Sequence, residues 1–469
     1  MKIEQIYTGC LAQGAYYIQS KGEVAIIDPL RETKPYVDKA EKDGSRIKYI
    51  FETHFHADFV SGHVSLAKLT GAEIVFGPNA DPSYNIISAK DGQEFKLGDV
   101  RIKVLHTPGH TMESSCFLLI DENGNDNALF SGDTLLIEDV GRPDLAAKSD
   151  LSVVDLASHL FDSLRNKIMP LANNIIVYPA HGAGSACGKN MSKETFDFLG
   201  NQKENNFALR HDMSRDEFIQ EVTTNMVPPP IYFPKNIKMN KEGYEDIDVI
   251  LTKGTEPLSV VDFETIVNSE GALMLDTRKP QIFKDGFIPN SINIGVDGSF
   301  APWVGALVPD LKQPIVLIVD EGRAEEVVTR LSRVGYDNTL GFIEGGFDAW
   351  GKAGKEIDSI VSISATEFVA KIDERINIID SRKNNEYTSQ RIDSDRLIHS
   401  PLREINENFT SFDKNKEYHI HCGGGYRSMI MASILKSRGF EKIVEVAGGF
   451  GAIKETDVKL TEFICLTKV

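Results

Sequence analysis

The sequence predicts a multidomain α/β protein with a strand-rich front half and two smaller α/β domains behind it. Three observations indicate this fold class: a length of 469 residues, a concentration of histidine in the front half, and an internal repeat in the back half. Single hydrophobic cores stop growing at roughly 250–300 residues, so we expect about three domains. The composition, with 41% hydrophobic and 26% charged residues, is typical of globular proteins.

The charge balance argues against nucleic-acid and membrane partners. The net charge of −18 repels phosphate backbones and anionic lipid headgroups. Every apolar run is far shorter than the roughly 20 residues that cross a bilayer. The first residues lack the apolar core of a secretory signal, so we expect a cytoplasmic protein. The five cysteines are an odd number spread along the chain, which argues against a disulfide framework.

The front half contains short β-favouring runs separated by Gly, Asp and Pro turns. These runs cover residues 23–27, 49–52, 73–76 and 101–105. Eight of the eleven histidines lie between His54 and His211, so chemistry that needs imidazole is concentrated here. The four prolines of residues 225–236 disfavour helix and central strand. We therefore expect the first domain to end near residue 235 and a linker to occupy residues 236–256.

An internal repeat divides the back half into two domains. Two motifs recur at spacings of 103 or 104 residues: Asp-x-Arg at residues 276–278 and 380–382, and Gly-Gly-Phe at residues 345–347 and 448–450. In each copy an apolar, strand-like run precedes a turn and a helical pattern. Strands that alternate with helices imply βαβ units and a parallel sheet. We place these α/β domains at residues 257–357 and 361–469.

A set of histidines and aspartates in the front half predicts a metal site. The segment His54-Phe55-His56-Ala57-Asp58 places three possible ligands at alternate positions, which project from one side of an extended chain. Other polar residues follow apolar runs beside Gly or Pro, as site residues on strand-end loops do. They are His110, Asp133, Tyr178 and His181. One histidine alone would more often be an ordinary core or surface residue, but the combined set indicates a site.

Taken together, these motifs resemble the metallo-β-lactamase superfamily and, within it, the persulfide dioxygenases. The resemblance covers residues 1–235 and rests on four short segments, which begin at Thr53, Thr107, Ser131 and Gly141. It implies an αββα sandwich with the metal site at one edge. It also implies a dioxygenase that binds one Fe(II) per chain.

The same resemblance implies a role for each polar residue of the set. His54, His110 and Asp133 would bind the iron, and two imidazoles with one carboxylate suit non-haem Fe(II) oxygen chemistry. The resemblance leaves His56, Asp58 and His181 as groups that surround the metal or face the substrate. We place Arg142, Tyr178 and Cys187 with them as further candidates for such positions.

One position departs from the pattern of the superfamily. Hydrolases such as glyoxalase II carry a histidine directly after the motif aspartate, where it helps to hold a second metal, and persulfide dioxygenases commonly keep it. Here that position is Phe59. The change removes a possible ligand and leaves the identity of the metal open.

Several loop residues and cysteines carry further expectations. Arg142 is either a surface arginine in a turn or, because its planar guanidinium matches a carboxylate, the anchor of a thiol cofactor. Cys187 lies in a Gly-rich loop near the expected site, where it could pack, contact substrate or take part in redox chemistry. Cys10, Cys116 and Cys465 lie beside apolar residues, so we expect them to be packing residues.

A cysteine begins a glycine-rich loop in the last domain. The loop residues are Cys422, Gly423, Gly424, Gly425, Tyr426 and Arg427. Glycines allow the backbone to wrap its N–H groups around a sulfur anion, and the helical pattern that follows adds positive potential. The thiolate of Cys422 is therefore favoured. A buried structural cysteine would explain neither the glycines nor Arg427.

This loop, the Asp-x-Arg element and the Gly-Gly-Phe motif resemble the rhodanese family. The resemblance covers residues 361–469 and implies that Cys422 carries sulfane sulfur as a persulfide, with Arg427 shaping the pocket. In the preceding copy the equivalent segment, residues 319–323, contains Asp320 and Glu321 but no cysteine. Two carboxylates repel thiosulfate-like anions, so we expect that copy to be inactive and to serve in packing or docking.

We therefore expect an enzyme that oxidises a low-molecular-weight thiol persulfide with O2 to sulfite, coupled to sulfur transfer that forms or uses thiosulfate. The alternative is a zinc-dependent, glyoxalase II-like thioester hydrolase with a separate sulfurtransferase domain. A non-catalytic sulfur carrier is a third hypothesis, which the intact set of His54, His110 and Asp133 disfavours. The expected partners are the thiol persulfide, O2, sulfite and thiosulfate. We also expect the protein to be a homo-oligomer.

Overall fold

The computed structural model describes residues 1–146, 151–372 and 375–465. The chain divides into two compact units. The first comprises residues 1–247 with 332–335, and the second comprises residues 248–331 with those from 336 onward. The first unit contains two six-stranded sheets, and the second contains two five-stranded sheets.

The first sheet follows the order of the chain. Its strands are β1 (Lys2–Thr8), β2 (Gln13–Ser20), β3 (Glu23–Ile27), β4 (Arg46–Glu52), β5 (Glu73–Phe76) and β6 (Ile87–Ser88). Strands β1 to β3 pair antiparallel, and β4, β5 and β6 are then added parallel. Parallel neighbours need a crossover, and α1 (Lys34–Lys42) and α2 (His63–Thr70) supply two of them. The three strands expected here are confirmed as β3, β4 and β5.

The second sheet runs in the order β12-β11-β10-β9-β8-β7. Its strands are β7 (Glu94–Leu97), β8 (Val100–His106), β9 (Ser115–Ile120), β10 (Asp126–Gly132), β11 (Ile176–Pro179) and β12 (Asp197–Phe198). Helix α3 (Val153–Ser163) follows β10, and helices α4 (Leu199–Asn205) and α5 (Arg215–Thr223) follow β12. Helices α3 and α5 begin with capping boxes at Ser152 and Ser214, which satisfy the first free N–H groups of each helix.

The two sheets face each other across an apolar core. Ile18 and Phe51 of the first sheet and Phe117 and Phe130 of the second belong to one buried cluster. A second cluster joins the first sheet to α1 and α2, and a third joins the second sheet to α3, α4 and α5. The expected αββα sandwich is therefore confirmed.

The proline-rich stretch contains a helix that the sequence pattern did not predict. Helix α6 (Phe233–Glu242) has Pro234 in its first turn, where a fixed φ fits and the missing N–H is not needed. Helix α7 (Ile247–Gly254) follows it. The expectation that these prolines disfavour helix is wrong at Pro234, and most of the segment expected as a linker is helical.

The second unit contains two parallel sheets with the same strand order, which confirms the internal repeat. The first is ordered β13-β17-β16-β14-β15, and the second is ordered β18-β22-β21-β19-β20. The strands of the first are β13 (Pro257–Leu258), β14 (Leu273–Asp276), β15 (Ile292–Asn293), β16 (Ile315–Ile318) and β17 (Thr339–Ile343). Those of the second are β18 (Val361–Ile363), β19 (Asn377–Asp380), β20 (Leu397–His399), β21 (Tyr418–His421) and β22 (Ile443–Val446).

Short helices connect the strands of both repeats. In the first repeat they are α8 (Val260–Glu270), α9 (Pro280–Phe283), α10 (Phe300–Leu307), α11 (Ala324–Ser332) and α12 (Gly346–Lys352). In the second they are α13 (Ala365–Lys371), α14 (Asn384–Ser389), α15 (Ile405–Asn408), α16 (Tyr426–Ser437) and α17 (Gly449–Ile453). Within the described ranges, every helix is too short or too polar to traverse a lipid bilayer.

Candidate functional site

Loops at the ends of four strands of the sandwich carry the polar residues singled out in the front half. They follow β4, β8, β10 and β11. The residues on them are His54, His56, Asp58, His110, Asp133 and His181. All six side chains are buried. Buried titratable groups in this number need hydrogen-bond partners or a bound cation.

Three of these residues form a group that fits a metal ion. The ligand atoms of His54, His110 and Asp133 all lie within 4.8 Å of one another. Asp133 Oδ2 lies 3.9 Å from His54 Nε2 and 3.5 Å from His110 Nε2. This oxygen is buried and has no hydrogen-bond partner within the described part of the chain. A divalent cation between the oxygen and the two nitrogens would satisfy all three atoms.

The hydrogen bonds on the other side of each imidazole leave Nε2 free for a metal. His110 Nδ1 lies 2.8 Å from the carbonyl oxygen of Arg142, which can only accept, so Nδ1 carries the proton. His54 Nδ1 lies 3.0 Å from Thr53 Oγ1, and that hydroxyl donates to Asp28 Oδ2 at 2.9 Å. The hydroxyl therefore accepts from His54 Nδ1. Burial lowers the pKa of His54 well below its usual value, which favours the neutral imidazole that binds metals.

His181 holds Asp133 in place. His181 Nδ1 lies 2.7 Å from Asp133 Oδ1, and its Nε2 lies 2.8 Å from Asp58 Oδ2 without hydrogen-bond geometry. Burial alone would lower the pKa of His181, but these two carboxylates raise it well above the usual value. Burial would also raise the pKa of Asp133, and the imidazoles around it, His181 first, keep it well below the usual value. The pair therefore fixes Asp133 as a carboxylate with Oδ2 directed to the other imidazoles.

A second group of possible ligands lies beside the first. It consists of His56, Asp58 and His181. The imidazole of His56 has other neighbours, since its Nε2 lies 3.1 Å from Asp28 Oδ1 and 3.7 Å from Glu52 Oε2. The buried ring of Phe59 packs against that of His56 at a tilt of 32°, with 4.3 Å between centroids. An apolar ring thus lies where the hydrolase pattern has a further ligand.

Cys187 belongs to the same cluster. Its sulfur forms a third group of mutually close ligand atoms with Asp133 and His181. The side chain is buried, and burial, followed by the nearby charges of Asp58 and Asp133, raises the pKa of this thiol well above its usual value. The structure therefore brings a buried thiol to the metal group.

Two other residues of the expected site have their side chains engaged elsewhere. The Arg142 guanidinium donates to both carboxylate oxygens of Asp144, at 2.6 and 2.7 Å. The ring of Tyr178 stacks on Phe130 in the aromatic cluster between the sheets, with 5.5 Å between centroids. Arg142 still supports the metal group, but through its carbonyl oxygen on His110.

Cys422 follows β21 and begins the loop that leads into α16. The N–H of Gly425 donates to Cys422 Sγ at 3.1 Å, and Ser428 Oγ lies 3.5 Å from the same sulfur. Gly425 adopts a φ of 102°, which favours glycine. A Cβ atom at Gly449 would lie 2.4 Å from the carbonyl oxygen of Cys422, so the Gly-Gly-Phe motif allows close packing behind the loop.

An open cavity of about 540 Å³ adjoins Cys422. The last domain lines it with Lys383, Asn385, Glu386, Gly424, Tyr426 and Arg427. The middle domain contributes Ser299 and Trp303. The Tyr426 hydroxyl donates to the carbonyl oxygen of Gly295 at 2.7 Å, and a Cβ atom at Gly298 would lie 2.4 Å from the Tyr426 ring. The two repeats are therefore closely packed at this cavity.

The sequence did not point to Ser299 or Trp303 as site residues. Neither lies in a recognisable motif, and only the packing of the two repeats brings them to the cavity. In the middle domain Val319 stands where Cys422 stands in the last one. Each residue directly follows its strand, β16 or β21. The side chain that corresponds to the thiol is therefore aliphatic.

One expected packing residue is not in the core. Cys465 is exposed, whereas Cys116 is buried and Cys10 is half-buried. The expectation for Cys465 is therefore wrong. Its neighbours Phe463 and Ile464 are also exposed, so an apolar run at this position does not mark a core segment.

Comparison with known proteins agrees with both halves of this description. The sequence pattern of the metallo-beta-lactamase superfamily matches residues 8–181. A crystal structure of a metallo-beta-lactamase from Staphylococcus aureus is similar with a TM-score of 0.64 and 30% identity, over 73% of this chain and 98% of that chain. This chain belongs to the metallo-beta-lactamase superfamily. The rhodanese-like domain pattern matches residues 259–353 and again residues 364–456, so the superfamily domain is followed by two rhodanese-like domains.

Relatives with two different activities match the first domain. Human mitochondrial persulfide dioxygenase is 29% identical over 215 residues, which cover 44% of this chain and 74% of the human protein. The cytoplasmic hydroxyacylglutathione hydrolase of Arabidopsis thaliana is 32% identical over 147 residues, which cover 30% of this chain and 56% of the plant protein. The chain thus spans little more than half of the plant relative. These similarities support an enzyme with a metal-binding fold, and they do not separate dioxygenase from hydrolase.

Proposed function

We propose that the protein is an iron-dependent persulfide dioxygenase coupled to a rhodanese-type sulfurtransferase. Its substrates would be a low-molecular-weight thiol persulfide, O2 and water, and its products the free carrier thiol, sulfite and, after sulfur transfer, thiosulfate. The observation that carries the proposal is the trio of His54, His110 and Asp133, in which both Nε2 atoms and one carboxylate oxygen are left free. Two imidazoles and one carboxylate leave positions open for two further ligands, as non-haem Fe(II) oxygenases require.

The residues of the metal group would bind and orient one ion. Fe(II) held by His54, His110 and Asp133 would supply the activation of O2 that the oxidation of the persulfide needs. The carbonyl oxygen of Arg142 fixes the ring of His110, and His181 fixes Asp133. The buried thiol of Cys187 lies close to Asp133 and His181, so we assign it to contact with the substrate.

Sulfur transfer would take place at Cys422. The thiolate attacks the outer sulfur of a persulfide, the bond between the two sulfurs breaks, and the carrier thiol leaves. Sulfite then attacks the outer sulfur of the Cys422 persulfide, which releases thiosulfate and restores the thiolate. The Gly425 N–H, 3.1 Å from Sγ, stabilises negative charge on the sulfur in both steps. The cavity of about 540 Å³ leaves room for a carrier larger than an inorganic anion.

A second candidate function is a two-metal thioester hydrolase with a separate sulfurtransferase domain. The second group of ligands, His56, Asp58 and His181, favours it, because a dinuclear site needs such a group beside the first. The similarity to hydroxyacylglutathione hydrolases also favours it. The ring of Phe59 against His56 favours the mononuclear alternative.

Metal analysis combined with two assays separates these candidates. Protein purified anaerobically should contain one iron per chain, consume O2 with a thiol persulfide and release sulfite. Two zinc ions per chain, with thioester hydrolysis and no O2 uptake, would favour the hydrolase and reject the dioxygenase. The cytoplasmic location and the homo-oligomer stay predictions. The O2 assay, run with a panel of thiol persulfides, identifies the carrier thiol.

A further inference from the structure

The loop that carries the first metal ligand needs support from outside itself. Residues 54–62 form neither helix nor strand, and every one of them is buried. Buried backbone N–H and C=O groups must find partners, or each costs a large part of a hydrogen bond. The partners of this loop therefore decide whether His54, His56 and Asp58 keep one arrangement.

One side chain on α6 supplies three of these partners. Asn240 Nδ2 donates to the carbonyl oxygen of His56 and to that of Phe59, each at 2.8 Å. Asn240 Oδ1 accepts from the N–H of Ser61 at 2.9 Å. The side chain is buried, and both of its amide hydrogens are used. A single amide thus spans the loop from one side of Asp58 to the other.

The helix that carries Asn240 is itself fixed to the same domain. The Tyr84 hydroxyl donates to the carbonyl oxygen of Asn240 at 2.6 Å, and the N–H of Ser83 donates to that of Lys241 at 2.8 Å. Beyond the helix, the Tyr244 hydroxyl accepts from the N–H of Val64 at 3.2 Å. These contacts hold α6 against both the metal loop and the start of α2.

From these contacts we infer that Asn240 is a positioning residue for the metal site. It holds the loop in the arrangement that binds the ion, although it lies outside residues 8–181, which match the superfamily pattern. The inference rests on the proposed metal site but not on persulfide chemistry. Outer-shell partners of metal ligands typically contribute 10–100-fold to metal affinity, and we expect an effect in this range.

Asn240→Asp in the full-length chain tests this role, with Co(II) as the probe. Aspartate has the same shape and can still accept from Ser61, but it cannot donate to the carbonyl oxygens of His56 and Phe59. We expect Co(II) to bind about 10–100-fold more weakly and its visible absorption spectrum to change, because the ligand loop is less well ordered. Titration of the metal-free protein in the presence of a competing chelator measures both quantities.

Asn236→Ala provides the matched control. Asn236 lies one turn earlier on α6, is equally buried, and its amide has no hydrogen-bond partner among the residues described. Its replacement should leave Co(II) affinity within about twofold of the native value. If Asn240→Asp does not fold, as judged by circular dichroism, Asn240→Ser replaces it, since one hydroxyl cannot donate to both carbonyls.

Two results would overturn the inference. One is a folded Asn240 variant that binds Co(II) within twofold of the native protein with an unchanged spectrum. The other is an equal loss of affinity in the Asn236→Ala control, which would indicate a general effect of changes in α6. Failure of the proposed function would look different, because the native protein would then bind Co(II) but would not consume O2 with any persulfide.

Discussion

The guanidinium of Arg427 is paired with both carboxylate oxygens of Glu386, at 2.6 and 2.8 Å, in the wall of the cavity beside Cys422. The pair raises the pKa of Arg427, and it keeps the pKa of Glu386 below its usual value despite the burial of that carboxyl. The positive charge next to the sulfur site is thus partly neutralised by the protein itself. An anionic sulfur donor must compete with Glu386 for Arg427.

Glu386→Gln should therefore improve the use of anionic donors. Removing one negative charge from a solvent-accessible pocket changes the binding of an anion by roughly 1 kcal/mol, so kcat/KM for thiosulfate should rise about 5-fold and the gain should shrink at high salt. Steady-state thiosulfate transfer at two ionic strengths measures this. Glu321→Gln, in the copy without cysteine, is the matched control. A fall in kcat/KM would mean that Glu386 is needed mainly to orient Arg427.

His54→Ala should empty the metal site. It removes one of only three protein ligands of the proposed ion, so affinity should fall by more than the roughly 10–100-fold that the loss of an outer partner costs. Elemental analysis of anaerobically purified protein provides the measurement. His159→Ala, which changes a half-buried histidine of α3, should keep its metal. A His54→Ala protein that still holds one ion per chain would contradict the assigned ligands.

Cys422→Ser should separate the two proposed reactions. The serine keeps the shape of the loop but cannot carry a sulfane sulfur. The variant should consume O2 with a persulfide at the native rate, yet accumulate sulfite instead of thiosulfate, because tethered transfer to sulfite is lost. Chromatography of the sulfur anions measures the ratio of sulfite to thiosulfate. An unchanged thiosulfate yield, after correction for spontaneous reaction, would reject the coupling.

The middle domain should contribute to binding but not to chemistry. Val319 cannot form a persulfide, so the Cys422→Ser chain should have no sulfurtransferase activity at all. Trp303→Ala should lower kcat/KM for transfer at Cys422 by about 3–10-fold, mainly through KM, if the ring contacts the carrier equally in the ground and transition states. O2 uptake serves as the internal control and should not change. Equal transfer kinetics in the native and Trp303→Ala proteins would contradict this role.

Four cysteines should differ in their reaction with iodoacetamide: Cys465 and Cys422 should be labelled readily, and Cys116 and Cys187 should resist labelling. Burial raises the pKa of Cys116 to about 11, so at pH 8 only about 0.1% of it is thiolate. Cys187 should be equally resistant, whereas Cys465 is exposed and Cys422 borders a cavity. Labelling of Cys116 should increase only as the pH rises toward 11. Peptide mass spectrometry at several pH values measures the labelled fraction of each cysteine. Labelling of Cys116 or Cys187 at pH 8 as complete as that of Cys465 would contradict the prediction.

The parts of the fold that depend on local pattern were predictable. Strand β3 (Glu23–Ile27) has the bounds that the apolar run indicated, and the repeated Asp-x-Arg elements begin at the last residues of equivalent strands, β14 and β19. Helix α6 was missed because proline statistics concern helix interiors, and Pro234 occupies a first turn. Cys465 was misplaced because apolar composition does not distinguish a core segment from an exposed one.

The candidate site was predictable only where its residues share a motif. His54, His110 and Asp133 were chosen from motifs, and the structure brings them together. Asn240 and Trp303 carry no such signal, because each acts through contacts with residues far away in the sequence. For Arg142 the sequence left open a surface turn or an anchor for a thiol cofactor, and in the structure a carboxylate only two residues away pairs with its guanidinium. Whether an arginine pairs with a neighbouring carboxylate or with a substrate depends on the conformation of the loop, which a sequence motif does not specify.

The position of α6 has a practical consequence for dissecting the protein. A fragment cut at residue 235, where the prolines suggest a boundary, would keep every proposed ligand of the metal group. It would nevertheless lose most of α6, including Asn240, whose amide spans the ligand loop. Such a fragment could be isolated without metal and be misjudged as a protein that never binds one. A fragment that extends to Ile247 keeps the whole of α6 and with it the amide of Asn240.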